Sequence, residues 1–306
     1  MRNRGFRRTG IIQKILLGAI ILVVLSLIPA VFLYLRGHNS NERRELKDFF
    51  ESGDFETSYL RSGEMPAEKP LDFFLLTING FSAFQIAIAQ INSYDKLSYM
   101  DKCVWSLRKA LLSRENSPEV FYVLGKAYYN KGPGYADLAV FYLEKARAAL
   151  YRAADIPEYL GMAYAGVKDY RSSVAAFTLA LTGEAASENA RPSDILLLSI
   201  ARSYFALEEN DAARAYLLHC LEISKDPRIK TPARFLLGSI LNKTGDTAGA
   251  EAEYLKVIEE SGENAEAHYQ LGVLYASGGD LTRARAEWRR AIRIDPAHGP
   301  ARSRLN

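Results

Sequence analysis

The stretch NAEAHYQLGVLYASGGDLTRARAEWRRAIRIDP, residues 264–296, decides how this chain is to be read. Apolar residues at three- and four-residue intervals run through Leu271–Tyr275 and again through Ala284–Ala291, with Gly278-Gly279-Asp280 between them. Spacing of that kind predicts two amphipathic helices, and the Gly-Gly-Asp predicts the tight turn that joins them. Antiparallel helices so joined pack about 8 to 10 Å apart, and their closest approach needs a small residue on one helix opposite a large one on the other. Gly272 facing Ala284 and Trp288 meets that requirement; a large side chain in its place would force the pair apart.

Outward from this stretch the same unit recurs. Leu271-Gly272 with Tyr275 is repeated as Leu124-Gly125 with Tyr128 and as Leu160-Gly161 with Tyr164; Ile200-Ala201 with Tyr204 and Leu237-Gly238 with Leu241 are conservative versions. Successive small residues stand 36, 40, 37 and 34 positions apart. Each is followed by a second-helix triplet: Ala139/Leu143/Ala146, Ser173/Phe177/Ala180, Ala213/Leu217/Cys220, Ala250/Tyr254/Val257 and Ala284/Trp288/Ala291. The triplet begins 12 residues after the small residue in the last four units, and the Gly132-Pro133-Gly134 turn adds two in the first. Gly245-Asp246 and Gly279-Asp280 suit the turns, glycine ending one helix in the left-handed conformation and aspartate capping the next. Pro118, Pro157, Pro232 and Pro296 fall at the junctions between units, where a proline starts a helix without losing a bond. A repeat of this period predicts hairpins that stack, because one hairpin alone cannot bury its apolar face.

Five helix-turn-helix units with these small and aromatic positions resemble the tetratricopeptide repeat (TPR) family, and the resemblance covers residues 118–298. It implies an all-α fold, a right-handed α-solenoid of helix hairpins that binds proteins or peptides and carries neither catalytic machinery nor a cofactor. Residues 71–117 resemble a degenerate sixth unit, with Cys103, Leu107 and Ala110 in the second-helix pattern but no clean Leu-Gly pair. Residues 36–70 contain a shorter hairpin turning at Gly53-Asp54-Phe55, and 299–306 are expected to be a C-terminal tail. In TPR proteins the first helix of each unit lines a concave groove. Carried onto this chain, that role falls on Tyr122, Lys126 and Tyr129; Glu158 and Met162; Leu198, Arg202 and Phe205; Phe235, Ser239 and Asn242; and Tyr269 and Val273. Aromatics with an occasional arginine are the residue types that interface hot spots favour, although the same aromatics would serve equally as core between repeats.

The N-terminal region reads differently. Residues 1–14 are a basic tail, and Ile15–Leu35 is a run of 21 residues without a charge. A helix of that length spans the roughly 30 Å hydrocarbon core of a bilayer. A cleaved signal peptide would have a shorter apolar run and a small-x-small site, and neither Ile28 nor Leu35 is small where a cut after Ala30 or Gly37 would need it. The expectation is a single transmembrane helix, 15–35, with the N-terminus cytoplasmic by the basic residues that precede it. The repeats would then lie outside the cytoplasm, in the periplasm if the source has two membranes.

Net charge is +3 over 306 residues, and Arg2, Arg4, Arg7, Arg8 and Lys14 account for more than all of it, leaving −2 on the remaining 292. The body is therefore not a nucleic-acid binder by charge. His38, His219, His268 and His298 lie in separate units with no ligand spacing around them, so no metal is expected. Cys103 and Cys220 both fall in apolar helical patterns and read as small buried hydrophobes, not as a disulfide. Arg283, Arg285, Arg289, Arg290 and Arg293 crowd the last helix, most simply as a solvated face. Only ten residues follow Pro296 to cover the last hairpin, so a homo-oligomer or a partner contact at that hairpin is a further expectation. Two rival roles keep the fold: an adaptor facing the cytoplasm, and a glycan-binding accessory of the cell wall using the groove tyrosines.

Overall fold

Apolar periodicity resolves into helices throughout the computed structural model, which describes residues 41–64, 71–182 and 192–305. Among the described residues every regular element is helical. In chain order they are α1 (Asn41–Glu51), α2 (Phe55–Glu64), α3 (Phe73–Ala89), α4 (Ser93–Ser113), α5 (Pro118–Lys131), α6 (Ala136–Ala148), α7 (Ile156–Gly166), α8 (Tyr170–Thr182), α9 (Asp194–Ala206), α10 (Asn210–Ile223), α11 (Pro227–Lys243), α12 (Thr247–Glu260), α13 (Ala265–Ser277), α14 (Leu281–Ile294) and α15 (Gly299–Leu305), with one 3-10 turn at Pro133–Tyr135. No helix among them is long and apolar enough to cross a membrane. The span expected at 15–35 and the tail at 1–14 lie outside the described residues.

The chain divides into two compact units that meet in sequence at Lys168 and Asp169. In the first, α3 packs on α4 and α5 on α6; in the second, α9 pairs with α10, α11 with α12 and α13 with α14. The second repeat expected from the sequence is thus split, α7 ending the first unit and α8 opening the second.

Each close approach is made by a small residue, as the repeat pattern requires. A Cβ on Gly125 would lie 2.5 Å from Leu143 Cγ, one on Gly238 would lie 2.8 Å from Tyr254, and one on Gly272 would overlap the Trp288 indole and sit 3.0 Å from the Ala284 carbonyl. The degenerate unit has such a residue too: Gly80, whose Cβ would come within 2.5 Å of Leu107. It escaped the Leu-Gly pattern because Asn79 precedes it. That asparagine is not core filler; it donates to the Tyr59 carbonyl at 3.0 Å and to Ser62 Oγ at 3.1 Å, and accepts from Ser106 at 2.7 Å, tying α2, α3 and α4 together.

The turns follow the expected chemistry at Gly245 and Gly279, with φ of +89° and +85°. Asp246 and Asp280 then accept from the backbone N–H three residues on, at 2.9 Å each. Lys168 and Glu208 occupy the corresponding turn position with φ of +63° and +64° but no glycine. Left-handed backbone is costly for a residue with a Cβ, and the ion pair of Glu208 with Lys243 at 3.1 Å is exposed and returns little. Glu208→Gly is expected to raise stability by up to about 1 kcal/mol, seen as a higher thermal midpoint; an unchanged or lower midpoint would contradict this reading of the turn.

Three sequence expectations need correction. Pro118 and Pro157 lie in the first turns of α5 and α7, but Pro232 lies inside α11. That helix starts earlier because Asp226 caps it, accepting from the Arg228 N–H at 2.9 Å. Pro296 stands in a turn, and Pro300 is the proline in the first turn of α15. The tail expected at 299–306 is instead helical from Gly299 to Leu305: Ala301 is fully buried against Ala284, Trp288 and Ala291, and its N–H donates to His298 Nδ1 at 3.2 Å. This short helix covers part of the last hairpin, so an uncovered end no longer argues for self-association.

Candidate functional site

First helices of successive repeats pack on their own second helix and also beside the next first helix, so part of the face turned away from the Leu-Gly side is taken up by lateral packing. The candidate residues recur at three positions four and then three apart, and the structure treats those positions differently.

At the first position two of the five candidates are interior. Tyr122 is fully buried, and Leu198 belongs to the core of the second unit. Both were expected to face a partner, and neither is accessible to one.

At the second position the two units diverge. Lys126 is 1% exposed and turned inward. Its Nζ donates to Asp155 Oδ2 at 2.7 Å and to the Tyr122 hydroxyl at 3.0 Å, while that hydroxyl donates to Asp155 Oδ1 at 2.6 Å. The Tyr159 and Tyr122 rings flank the ammonium at 4.6 and 4.9 Å. Lys126 is therefore part of the interior of the first unit and not of a binding surface. Its counterpart Arg202 is exposed and makes no ion pair among the described residues. The difference lies six positions before the small residue of the next unit, which is Asp155 before Gly161 but Pro232 before Gly238. Asp155 gives Lys126 a carboxylate, whereas Pro232, which lines a pocket with Arg202, has none to offer.

Two pockets are lined by candidates from all three positions. In the first unit Tyr129 and Met162 line a cavity of about 470 Å³ with Lys96, Asn130 and Pro133. The Tyr129 hydroxyl donates to Met162 Sδ at 3.0 Å, and its ring meets Tyr159 edge-on at 5.3 Å. Burial, with Glu158 nearby, raises the Tyr129 phenol above its ordinary value. Glu158 is itself pushed up by burial and by Asp155, with Lys126 opposing. In the second unit Arg202 and Phe235 line a cavity of about 330 Å³ with Thr231, Pro232, Leu236, Asn264 and Glu266. Its walls are mostly apolar; Arg202 has no ion pair among the described residues, and the Glu266 carboxylate lies 3.1 Å from His298 Nε2.

The remaining candidates are half-buried and largely engaged in packing. Ser239 donates to the Phe235 carbonyl at 3.0 Å and accepts from Tyr254 at 3.3 Å. Tyr269 meets the His298 ring at a tilt, centroids 5.1 Å apart, and accepts the Trp288 indole N–H on its carbonyl at 3.3 Å. Phe205 has the Lys243 ammonium 5.8 Å from its ring centre. Asn242 and Val273 are partly exposed on α11 and α13. Sequence reasoning missed Thr231 and Asn264; Thr231 lies one turn before Phe235 on the same face, which was a usable signal, whereas Asn264 is brought in by packing of the next repeat.

His268 Nδ1 lies 2.6 Å from Glu287, which also pairs with Arg290. Cys103 and Cys220 are free and buried. Burial raises the Cys103 thiol, and it pushes Cys220 to about 11 with Asp194 adding to the effect and Arg202 opposing it.

Comparison with known proteins bears on the repeats. One tetratricopeptide repeat family model matches residues 265–298, and a second matches 196–227 and 231–264. These are the third, fourth and fifth units of the sequence reading. No curated protein matches the chain. Among solved structures it is similar to YrrB, described as a TPR protein with an unusual peptide-binding site, at 23% identity over 64% of this chain and 96% of that one, with a TM-score of 0.50. It is also similar to the C-terminal part of a TPR repeat-containing protein from Cytophaga hutchinsonii, at 15% identity over 86% and 99% of the two chains and a TM-score of 0.58. A third similar structure is the APC/C hetero-tetramer Cut9–Hcn1, at 14% identity over 89% of this chain and 50% of that one, with a TM-score of 0.53. Helix pairing, small-residue crossings and matched repeats together show a chain that is helical throughout its regular elements among the described residues, carries tetratricopeptide repeats and has the fold of TPR interaction scaffolds.

Proposed function

We propose that this chain is a single-pass membrane protein whose repeats, held outside the cytoplasm, recruit other proteins by binding an extended segment of them. The observation that carries the binding role is the second-unit pocket, lined by Phe235, Leu236 and Pro232 together with Arg202, which has no ion pair among the described residues. Such a pocket takes one apolar side chain of a peptide, and the guanidinium takes a carboxylate beside it in a two-pronged hydrogen bond. The first-unit pocket at Tyr129 and Met162 offers a second apolar subsite of the same kind. Catalysis has no part in this reading. Membrane attachment rests on the uncharged run 15–35, and the outward placement rests on the basic residues before it.

Selection of a displayed random peptide library on the detergent-solubilised full chain tests the binding role. Enriched peptides are expected to pair an acidic residue with an apolar one, and Arg202→Glu with Phe235→Ala is expected to weaken the best peptide at least about tenfold by fluorescence polarisation. Peptides that bind the double variant unchanged would place recognition elsewhere. Cysteines introduced at the exposed positions Lys243 and Lys256 should be labelled by a membrane-impermeant maleimide in intact cells. Labelling only after lysis would turn the repeats toward the cytoplasm.

A further inference from the structure

The helix α4 differs from the other second helices in what it leaves uncovered. Among the described residues α6, α8, α10 and α12 each expose one large apolar side chain: Phe141, Leu179, Leu218 and Leu255. α4 exposes Tyr94, Leu97, Trp105 and Leu112, and Ile91 is bare in the turn before it. Tyr94, Trp105 and Leu112 are 11 and 7 residues apart, so they fall within about 20° of one another around the helix and extend over about 27 Å of its length. Trp105 is 60% exposed, with the Lys109 ammonium 4.1 Å from its ring centre. Lys102 and Arg108 flank the row on its two sides and are both exposed. Asp101, the carboxylate on this face, is neutralised by Lys131 of α5. The row is therefore aromatic along its middle and cationic along its edges.

We propose that this face of α4 lies on an anionic lipid surface, with Tyr94, Trp105 and Leu112 at the boundary between headgroups and acyl chains and Lys102, Arg108 and Lys109 on lipid phosphates. Tryptophan and tyrosine bordered by lysine and arginine is the composition that settles at membrane interfaces, whereas lysine is depleted from protein–protein contacts. Chain length points the same way. The inference rests on the membrane-anchored reading, in which five residues, 36–40, separate the span from α1. Five residues reach at most about 18 Å, which holds the unit containing α4 close to the bilayer.

The test is the fluorescence of the full chain reconstituted into phosphatidylcholine vesicles, with and without phosphatidylglycerol, whose acyl chains are brominated near the headgroup. Only Trp105 and Trp288 contribute, and the W105F variant supplies the signal of the buried Trp288 for subtraction. The Trp105 component is expected to lose more than about half its intensity in the brominated anionic vesicles and less in the zwitterionic ones. Replacing Lys102, Arg108 and Lys109 together with glutamine should remove that difference. Flotation and alkaline extraction of the same samples separate the two readings. A chain that floats, resists alkali and keeps Trp105 unquenched overturns this inference and leaves the anchor standing, and a doubled mass by sedimentation would then assign the face to a second copy. Quenched Trp105 in a chain that alkali strips from the vesicles supports the inference and overturns the anchor. A chain that does not float overturns both.

Discussion

Replacing Asp155 by alanine is expected to lower stability toward unfolding by about 3 to 5 kcal/mol. Lys126 is 1% exposed and Asp155 is its only ion-pair partner among the described residues, so the variant strands an ammonium in the interior of the first unit. The Tyr122 hydroxyl loses both of its acceptors at the same time. Water could reach the aspartate side, where the side chain is 28% exposed, but not the lysine side. The cost therefore comes from the unpaired cation and not from a lost surface contact. Removing both charges tests this directly: Lys126→Met added to Asp155→Ala should recover most of the loss, because a matched apolar replacement of a buried pair is often neutral. Urea unfolding followed by circular dichroism measures both. An Asp155→Ala loss below about 1 kcal/mol would mean that Lys126 swings out to solvent and that the cluster is not an interior lock.

The second large effect is expected at Gly272. Leucine there has no room, since even its Cβ would overlap the Trp288 indole and press on the Ala284 carbonyl. Both obstacles are rigid: Trp288 is 4% exposed and tied by its N–H to Tyr269, and the carbonyl belongs to helix α14. Overpacking at a fixed crossing costs about 1 to 3 kcal/mol, and α13 and α14 should part before either bends. Gly278→Ala is the control, because a Cβ at that turn meets only two carbonyls at 3.6 and 3.8 Å. Equal melting temperatures for the two variants would mean that the Gly272 crossing does not hold the hairpin together.

These two residues also mark what the sequence made legible. Gly272 was readable because the rule behind it is local: two helices, one short turn and a fixed offset of 12 positions to the facing triplet. The same rule placed Gly238 and, with the two residues added by the Gly132-Pro133-Gly134 turn, Gly125; it failed at Gly80, whose triplet begins 23 positions later at Cys103 because ten residues of α4 precede it. The positions expected to line a groove were legible only in register. Sequence spacing put Lys126 and Arg202 at equivalent positions, yet one is interior and the other faces solvent. What separates them is the residue six positions before the next unit's small residue, an aspartate at Asp155 and a proline at Pro232. That residue belongs to the next repeat, and no pattern within one repeat contains it. The helix Gly299–Leu305 was missed for a similar reason: seven residues do not make a stable helix alone, and burial of Ala301 against Trp288 and Ala291 supplies the rest.

The most direct test of the account is site-specific photocrosslinking in intact cells, with benzoylphenylalanine at Phe235 in the second-unit pocket or at the exposed Leu218 of α10. The account predicts a discrete adduct from position 235 that disappears when Arg202→Glu is added, and none from position 218. Adducts from 218 but not 235, or an adduct at 235 that Arg202→Glu leaves unchanged, would contradict a groove that binds partners through this pocket.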